Sequence, residues 1–437
     1  MKNQLMKTGI PYMSEIPSDW DIKRIRHVTS FVYRGITPDY TDDETKPMVV
    51  NQATFSQGQW DISKVRYTKT HLSGCRGRLK KNDVLIASTG GGILGKTYHF
   101  TEDNDNYIAD GHVTIIRPSK SMSAKFIYYF LYNSYDMIND LLAKGSTNQT
   151  ELQRDLLLKL YMPIPKIEEQ KRICNYLDYR LVKINRVINV LNNEIDTLEL
   201  AKKAIISEAV TGNDGKTPLK DSGDMFCGMI SENFVCRKLR FLIKGKLKYG
   251  ANETGDSDLE DCPRYIRITD ITADNRLKEE GKQFLPKDVA KPYLLKNGDV
   301  LFARSGATVG KTFYYEEKYG EAAFAGYLIK AVADESKILS KYVWYYTLSN
   351  NYELWKDNVF TQTTIQNIGA DKYALLPITF PLDIEEQHRI VDYLDRKCGA
   401  IEKILDAKKA QVEKLETYKQ SMIYDYVTGI KRVKEDI

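Results

Sequence analysis

The chain has 437 residues, of which 42% are hydrophobic and 28% are charged, an ordinary composition for a soluble protein with a sizeable core. The formal net charge of +5 permits a polyanionic partner without requiring one, because only clustering on one face would create a strong field. The six cysteines form no C-x-x-C pair and none of the five histidines stands at metal-ligand spacing. These features argue against a structural zinc site and predict a reducing compartment.

The first twenty residues, MKNQLMKTGIPYMSEIPSDW, lack the apolar core of a secretion signal. The chain also has no run of about eighteen apolar residues, the length that a transmembrane helix needs. We therefore expect a cytoplasmic protein that does not contact a membrane.

Residues 90–97 spell G-x-x-x-x-G-K-T, the pattern of the phosphate-binding loop of nucleotide triphosphatases. Such a loop binds phosphate only where it leads into a helix whose N-terminus faces the anion. The residues after Lys96 are aromatic and end in acidic turns, which predicts a strand instead. In a second copy of the segment, counting back from Lys311 puts Ser305 at the position of Gly90. We interpret the segment as a β-turn that carries a lysine.

The second copy belongs to a longer internal repeat. EEQKRICNYLD (168–178) recurs as EEQHRIVDYLD (385–395), and the alignment continues without a gap to AVTG (209–212) and YVTG (426–429). The sequence thus predicts two similar halves, each a globular segment followed by one long helix. The upstream matches are residues 80–100 with 295–315, 126–134 with 342–350, 146–153 with 360–367, and PSDWDIKRIRHVT with SENFVCRKLRFLI. We also expect the strand in VVNQATF (49–55) to correspond to the one in YIRITDI (265–271).

Both long helices carry apolar residues every seven positions, and residues 168–209 contain neither glycine nor proline. This pattern predicts a coiled coil in which the two helices pair in antiparallel fashion. The apolar residues of the two helices that face each other form the seam of the coiled coil. Lys202 and Lys419 interrupt this seam at equivalent positions. A fraying helix end or a residue that sets the register would explain each lysine, and we favour the fraying end. The predicted seam residues are Leu177, Ile184, Leu191, Leu198, Leu394, Ile401, Leu415 and Met422.

The ordered motifs resemble those of the specificity subunits of type I restriction-modification systems. IPSDWDIKRI (16–25) is similar to the family's N-terminal signature, and the D-V-L-x-A and G-K-T segments are similar to parts of its target-recognition domains. The segments around E-E-Q-x-R-I (163–173 and 380–390) are similar to its two conserved regions. The resemblance spans nearly the whole chain in the family's order.

This resemblance implies an α+β fold with two pseudo-symmetric mixed α/β target-recognition domains joined by two long antiparallel coiled-coil helices. The expected division is a first target-recognition domain (1–165), a first long helix (166–212), a flexible linker (213–230), a second target-recognition domain (231–383) and a second long helix (384–431). Two unlike heads on a rigid spacer would suit a bipartite, asymmetric DNA site whose gap follows the length of the helices.

The resemblance further implies a non-catalytic subunit that reads double-stranded DNA and docks DNA methyltransferase subunits and ATP-dependent restriction subunits. S-adenosylmethionine, ATP and magnesium would then belong to the partners, and this chain would hold no cofactor or metal. The sequence agrees, since it shows no N-P-P-F or D-P-P-Y stretch of the kind that positions an amino group for methylation. The E-E-Q-K segment opens a helix, where acidic residues complement the helix dipole.

Base edges are read by Arg, Lys, Asn and Gln, and phosphates by basic and hydroxyl side chains and by backbone amides. The candidates of these types lie in predicted loops and strand ends. In the first half they are Arg34, Asn51, Gln52, Ser88, Lys96, Thr147, Asn148 and Gln149. In the second half they are Lys248, Tyr249, Arg267, Thr269, Arg304, Ser305, Lys311, Thr361 and Gln362.

Two other classes of protein remain open on sequence grounds. A two-headed coiled-coil scaffold that binds no DNA would show no salt-sensitive affinity for a duplex. A self-sufficient ATPase or nuclease would turn over ATP by itself and lose that activity in a Lys96→Ala variant.

Overall fold

The computed structural model describes residues 4–433 except 145–149, 257, 260, 273, 307–308 and 362–366. It divides into two compact units. Unit 1 comprises Met1–Leu191 together with Ala410–Ile437, and unit 2 comprises Asn192–Lys409.

Unit 1 is built on an antiparallel four-stranded sheet of order β4-β11-β8-β9, beside a second sheet of order β10-β6-β7-β5. The elements before the first long helix are β1 (Leu5–Ile10), β2 (Met13–Pro17), β3 (Asp21–Arg24), α1 (Ile25–Val28), β4 (Thr29–Arg34), β5 (Tyr40–Thr41), β6 (Met48–Val50), β7 (Arg66–Thr68), β8 (Val84–Ala87), β9 (Thr97–His99), β10 (Tyr107–Ala109), β11 (Val113–Pro118), α2 (Ala124–Asn133), α3 (Tyr135–Leu142), β12 (Ala143–Lys144), β13 (Glu151–Leu152), α4 (Arg154–Lys159) and β14 (Tyr161–Ile164). Helix α5 (Ile167–Thr211) begins in unit 1 and ends in unit 2.

Unit 2 has a matching antiparallel sheet of order β18-β23-β20-β21 and a parallel pair, β19 with β22. Its elements after α5 are β15 (Leu219–Asp221), β16 (Met229–Ser231), β17 (Phe234–Lys238), β18 (Lys248–Tyr249), β19 (Arg264–Ile266), α6 (Lys287–Ala290), β20 (Val300–Ala303), β21 (Thr312–Tyr314), β22 (Ala322–Phe324), β23 (Leu328–Ala331), α7 (Ser340–Tyr346), α8 (Asn350–Thr361), α9 (Ala370–Tyr373) and β24 (Pro377–Pro381). Helix α10 (Ile384–Val427) begins in unit 2 and ends in unit 1.

The central strands are buried on both faces. In β8, Val84 and Ile86 belong to the core cluster that contains α2, whereas Leu85 and Ala87 belong to the cluster on the opposite side of the sheet. Strand β20 divides its side chains between two clusters in the same alternating way. This double burial explains why both strands are continuous apolar runs, and it holds their ends in fixed positions.

The register of the strands confirms the predicted correspondence between VVNQATF (49–55) and YIRITDI (265–271). Val50 is the last residue of a strand that pairs in parallel with β10, and Ile266 is the last residue of a strand that pairs in parallel with β22. A short 3-10 turn follows each strand, at Gln52–Thr54 and at Ile268–Asp270.

The long helices run antiparallel within each unit, as predicted. In unit 1 the ring of Tyr176 lies 4.6 Å from that of Tyr426. In unit 2 the Glu194 carboxylate pairs with Lys408 at 2.6 Å. Of the eight expected seam side chains, Leu177, Ile184, Leu191, Leu394 and Met422 are buried, and Leu198, Ile401 and Leu415 are half-buried.

The interpretation of Lys202 as a fraying helix end is wrong. Helix α5 continues to Thr211, and the Lys202 side chain is only 19% exposed. Its ammonium group forms an ion pair with Glu402 on α10, within the same unit. The lysine therefore packs its stem into the seam and presents its charge to the other helix.

The G-K-T segment is a turn between two antiparallel strands, β8 and β9, so no helix follows its lysine. The interpretation as a β-turn is confirmed. The assignment of Ser305 to the position of Gly90 is wrong, because Thr89 and Ser305 form equivalent isolated bridges, with Glu151 and with Asn367. Gly90 thus corresponds to Gly306, and both have the left-handed φ that favours glycine, 92° and 81°.

The segment between the halves is not a plain flexible linker. Strands β15 and β16 pair in antiparallel fashion, and Cys227 and Ile230 are buried. The hairpin corresponds to β1–β2 at the start of unit 1. Residues 219–231 therefore open the second copy of the repeat, and the apolar residues at 226–230 are a sequence signal for this hairpin.

A candidate nucleic-acid interface

Five chain segments meet at one end of the central sheet in unit 1, and we call this region the strand-end surface of unit 1 (residues 34–36, 51–54, 88–90, 110–112 and 150–152). Arg34 Nη2 donates a 3.1 Å hydrogen bond to the Ser88 carbonyl, and Arg34 Nη1 lies 3.5 Å from Glu151 Oε1. The Thr89 hydroxyl lies 2.7 Å from Nδ1 of His112 and 3.5 Å from Oε1 of Gln52. These contacts connect residues that are far apart in sequence into one polar cluster.

The strand-end surface of unit 2 consists of the corresponding residues 249–251, 267–270, 304–306, 325–327 and 367–370. The guanidinium of Arg304 lies 5.0 Å from the centroid of the Tyr249 ring, a cation–π contact. The Tyr249 hydroxyl accepts a 3.0 Å hydrogen bond from the backbone N–H of Ala370. The backbone N–H of Arg304 donates a 3.0 Å hydrogen bond to the backbone carbonyl of Tyr327. Tyr327 itself is 61% exposed.

A glycine makes each of these surfaces possible. A Cβ on Gly35 would lie 2.1 Å from the Ala109 carbonyl oxygen, and one on Gly250 would lie 2.2 Å from that of Phe324. Only glycine allows the chain to pass so close to the neighbouring strand. The preceding residues, Arg34 and Tyr249, are thereby held at the same point of the two surfaces.

The predicted residues of unit 1 divide into several groups. Arg34 and Gln52 lie on the strand-end surface, half-buried. Asn51 caps the 3-10 turn, accepting from the Ala53 N–H at 2.8 Å and donating to the Lys64 carbonyl at 2.9 Å, so its amide is already engaged. The expectation for Ser88 is wrong, because this side chain is fully buried and its hydroxyl contacts that of Thr114 at 2.6 Å.

The Lys96 side chain contacts an aromatic ring outside the cluster that contains Arg34. Its Nζ lies 4.2 Å from the centroid of the Tyr135 ring, in a cavity of about 250 Å³. Lys311 lines a corresponding cavity of about 680 Å³ in unit 2, together with Glu402 and Asp406 of α10. Thr147, Asn148 and Gln149 lie outside the described residues.

The remaining candidates of unit 2 lie on or near its strand-end surface. Lys248, Tyr249 and Thr269 are exposed, and Arg304 and Ser305 are half-buried.

Arg267 is engaged by Asp270, with Nη2 and Oδ1 2.7 Å apart. This hydrogen bond raises the pKa of Arg267 above its usual value. Thr361 ends helix α8, but its side chain and Gln362 lie outside the described residues.

Two further residues of these surfaces, His112 and Tyr327, and one residue beside them, Arg154, were not predicted. His112 and Tyr327 occupy equivalent positions after a glycine, and the alignment of DGH with AGY already places them opposite each other. Arg154 donates to the Val32 carbonyl at 2.6 Å and lies over the Tyr33 ring at 4.2 Å. No local sequence pattern distinguishes Arg154 from other arginines at a helix start.

Chemically, the two surfaces offer different sets of recognition groups. Unit 1 presents a guanidinium, an amide and an imidazole through Arg34, Gln52 and His112, groups that suit hydrogen bonding to base edges. Unit 2 presents Arg304, which lies over the ring of Tyr249, and the exposed side chain of Tyr327. Among the described residues, no group of three or more His, Cys, Asp or Glu side chains could hold a metal ion. In that part of the chain, no helix is long and apolar enough to cross a membrane.

Comparison with known proteins identifies the family. A family model described as the type I restriction modification DNA specificity domain matches residues 17–197 and 253–414. The chain is 23% identical over 392 residues to the StySPI type I restriction enzyme specificity subunit of Salmonella potsdam, covering 86% of this chain and 81% of that protein. It is 22% identical over 434 residues to the MjaVIII specificity subunit of Methanocaldococcus jannaschii, covering 96% and 94%.

The fold is shared with a solved structure concerned with complex assembly and conformational transition of the type I restriction-modification system. That chain matches with a TM-score of 0.64 and 16% identity, covering 94% of this chain and 98% of the other. The family model alone matches well over half of the sequence, and it does so twice. The resemblance drawn from the motifs is therefore confirmed, and the chain belongs to the type I restriction-modification DNA specificity family, the non-catalytic DNA-recognition subunits of these systems.

Proposed function

We propose that each strand-end surface reads one part of a bipartite, asymmetric site in double-stranded DNA. The observation that carries this proposal is the occurrence of one surface architecture in both units with unlike side chains. Arg34 is replaced by Tyr249, and His112 by Tyr327. A shared architecture with different recognition groups is what two readers of unlike half-sites require.

We propose further that the chain docks DNA methyltransferase subunits and ATP-dependent restriction subunits, which supply S-adenosylmethionine, ATP and magnesium. The family membership supports this role. The outer faces of α5 and α10 carry exposed apolar side chains, among them Tyr179, Val182, Val187 and Val190 on α5, and these are candidates for contact with partner subunits. Such a complex would act in the cytoplasm, where the DNA is.

The test is to map methylated sites in cells that produce the chain with its methyltransferase partner. Arg34→Ala and Gln52→Ala should alter or relax the first half-site only, and Tyr327→Ala the second half-site only. Lys171→Ala, at an exposed helix position away from both surfaces, serves as the matched control and should leave the site unchanged.

Each bidentate base contact that is lost should cost about 1–3 kcal/mol of discrimination. If Arg34→Ala changed the second half-site, or if every variant kept the original site, the assignment of these surfaces would be wrong. A scaffold that binds no DNA would direct no methylation and show no salt-dependent duplex affinity.

A further inference from the structure

In unit 1 the residues that follow α10 fill a groove beside the start of α5. The guanidinium of Arg432 lies 5.8 Å from the Trp20 ring, forms an ion pair with Asp19 and lies 3.7 Å from Glu169 Oε1. The indole N–H of Trp20 donates to the other oxygen of Glu169 at 3.1 Å. An arginine thus rests on an aromatic ring between two carboxylates. Val433, which follows it, packs against the hydrophobic core.

The corresponding place in unit 2 is a cavity of about 670 Å³. Three of its wall residues match those of the filled groove, because Phe234, Glu386 and Tyr393 correspond to Trp20, Glu169 and Tyr176. Asn233 replaces Asp19, but Asp383 adds a carboxylate where unit 1 has Lys166.

The difference lies in the residues that fill the space. Tyr426, which contacts Tyr176 in unit 1, corresponds to Ala209 in the gap-free alignment of the helices. Gly429 and Gly212 follow the ends of the two helices at equivalent positions. Arg432 and Gly215 lie three residues after them and therefore correspond to each other. The second copy therefore keeps the aromatic wall and the glutamate of the groove and lacks both large side chains that occupy it.

The charge of the cavity favours a cation. Its lining includes the carboxylates of Glu208, Asp214, Asp383 and Glu386 and a single cationic side chain, Arg389. Arg389 pairs with Glu386 and lies 3.7 Å from Asp383, and its side chain is 66% exposed. The lining thus carries three negative charges in excess beside the aromatic rings of Phe234 and Tyr393. A guanidinium prefers such an environment.

We propose that this cavity of unit 2 binds an arginine side chain of a partner polypeptide, as the groove of unit 1 binds Arg432. A nucleic acid would be repelled by the carboxylates. The volume exceeds that of one guanidinium, and Ile205, Leu382 and Ile390 line it as well, so an apolar residue next to the arginine would be accommodated, as Val433 is in unit 1. This site is separate from DNA recognition and does not depend on it.

The probe is a fluorescent peptide with the sequence of residues 426–433, YVTGIKRV, titrated into the full-length chain and followed by anisotropy. We expect saturable binding that Glu386→Gln weakens roughly tenfold, as does replacing the arginine of the peptide by glutamine, since each change removes one charge-assisted hydrogen bond. Ala209→Tyr should abolish binding, because the new ring would occupy the space that Tyr426 fills in unit 1. Circular dichroism should show that this variant is folded.

Glu169→Gln is the matched control in unit 1, whose groove is already filled, and it should leave the affinity for the peptide unchanged. The proposal is overturned if the wild-type chain does not bind the peptide, or if binding persists undiminished in Glu386→Gln or in Ala209→Tyr. It is equally overturned if Glu169→Gln is the variant that changes the affinity, since the peptide would then be displacing the chain's own tail.

Discussion

The side-chain oxygen of Gln170 accepts a 2.8 Å hydrogen bond from the backbone N–H of Ser123, the residue that caps α2. The Gln170 amide also donates to the Pro165 carbonyl at 2.9 Å, and the side chain is fully buried. In unit 2, Gln387 repeats both contacts, with the Leu339 N–H and the Pro381 carbonyl. The glutamine of each E-E-Q motif therefore connects the start of a long helix to the globular part of its unit through buried hydrogen bonds.

We expect Gln170→Ala to reduce the free energy of unfolding by about 2 kcal/mol, because it leaves a buried N–H and a buried carbonyl without partners. Urea denaturation followed by circular dichroism measures the change. Glu168→Ala, two residues away at an exposed position, should have almost no effect. Equal losses in the two variants would contradict a special role for the glutamine.

The turn lysines should act on affinity and not on sequence preference. Lys96→Ala and Lys311→Ala should each weaken duplex binding and lower the slope of log K against log salt by about one, the contribution of one phosphate contact. Binding titrations at several salt concentrations give the slope, and methylated-site mapping gives the preference. A changed base preference in either variant would move that lysine from phosphate contact to base recognition.

The first half of the repeat should assemble with a second copy of itself. In unit 1 the α5 residues Leu177 and Ile184 share a core cluster with Met422 of α10, which a chain of residues 1–212 lacks. We expect this fragment to form a dimer in which α5 of one copy covers the seam of the other, and to direct methylation to an inverted repeat of the first half-site.

Sedimentation velocity determines the mass of that fragment, and Ile184→Asp, which puts a charge in the seam, should shift it toward monomer. A stable, folded monomer of the unsubstituted fragment would show that the seam does not need a partner helix.

The stability of unit 1 should depend on pH through His99. Burial is the main cause that lowers the pKa of His99 from 6.5 to about 4, with Lys125 lowering it further and Asp178 opposing. The folded chain therefore protonates His99 at lower pH than the unfolded chain does. The buried neutral imidazole stabilises the folded state fully above pH 6.5, and this stabilisation is lost as the pH falls towards 4.

The test compares the wild-type chain with His99→Tyr, which introduces the residue of the corresponding position, Tyr314. The urea midpoint should fall less between pH 7 and pH 5 in the variant than in the wild type. An identical decrease in both would assign the acid sensitivity to other groups.

The gap between the two half-sites should follow helix length. Inserting four residues after Asn189 and four after Asp406 lengthens each helix by about 6 Å, close to the rise of two base pairs. Four residues exceed one turn of a coiled coil, about 3.5 residues, by only half a residue. The helices should therefore stay paired, with a local unwinding (a stutter) at the insertion. Methylated-site mapping should show the same half-sites with a longer gap. An unchanged gap in a folded, active variant would mean that the spacing is set elsewhere.

The sequence by itself determined the duplicated organisation, the two antiparallel helices and the turn that carries Lys96. These features depend on local periodicity and on similarity between two stretches of one chain, both of which can be counted without coordinates. The family followed from the order of the same motifs. The unlike strands of VVNQATF and YIRITDI were also aligned correctly, since Asn51 and Arg267 stand at the same position of equivalent turns.

Only the tertiary structure decided which polar residues lie together. Arg34 contacts the carbonyl of Ser88, 54 residues away, because β4 and β8 both pair with β11, and such long-range pairing leaves no local signal. The same packing buries the hydroxyl of Ser88 and brings His112 to the surface beside Thr89. Whether a strand-end side chain faces solvent or the core depends on the sheet's register, and a shift of one residue would reverse it.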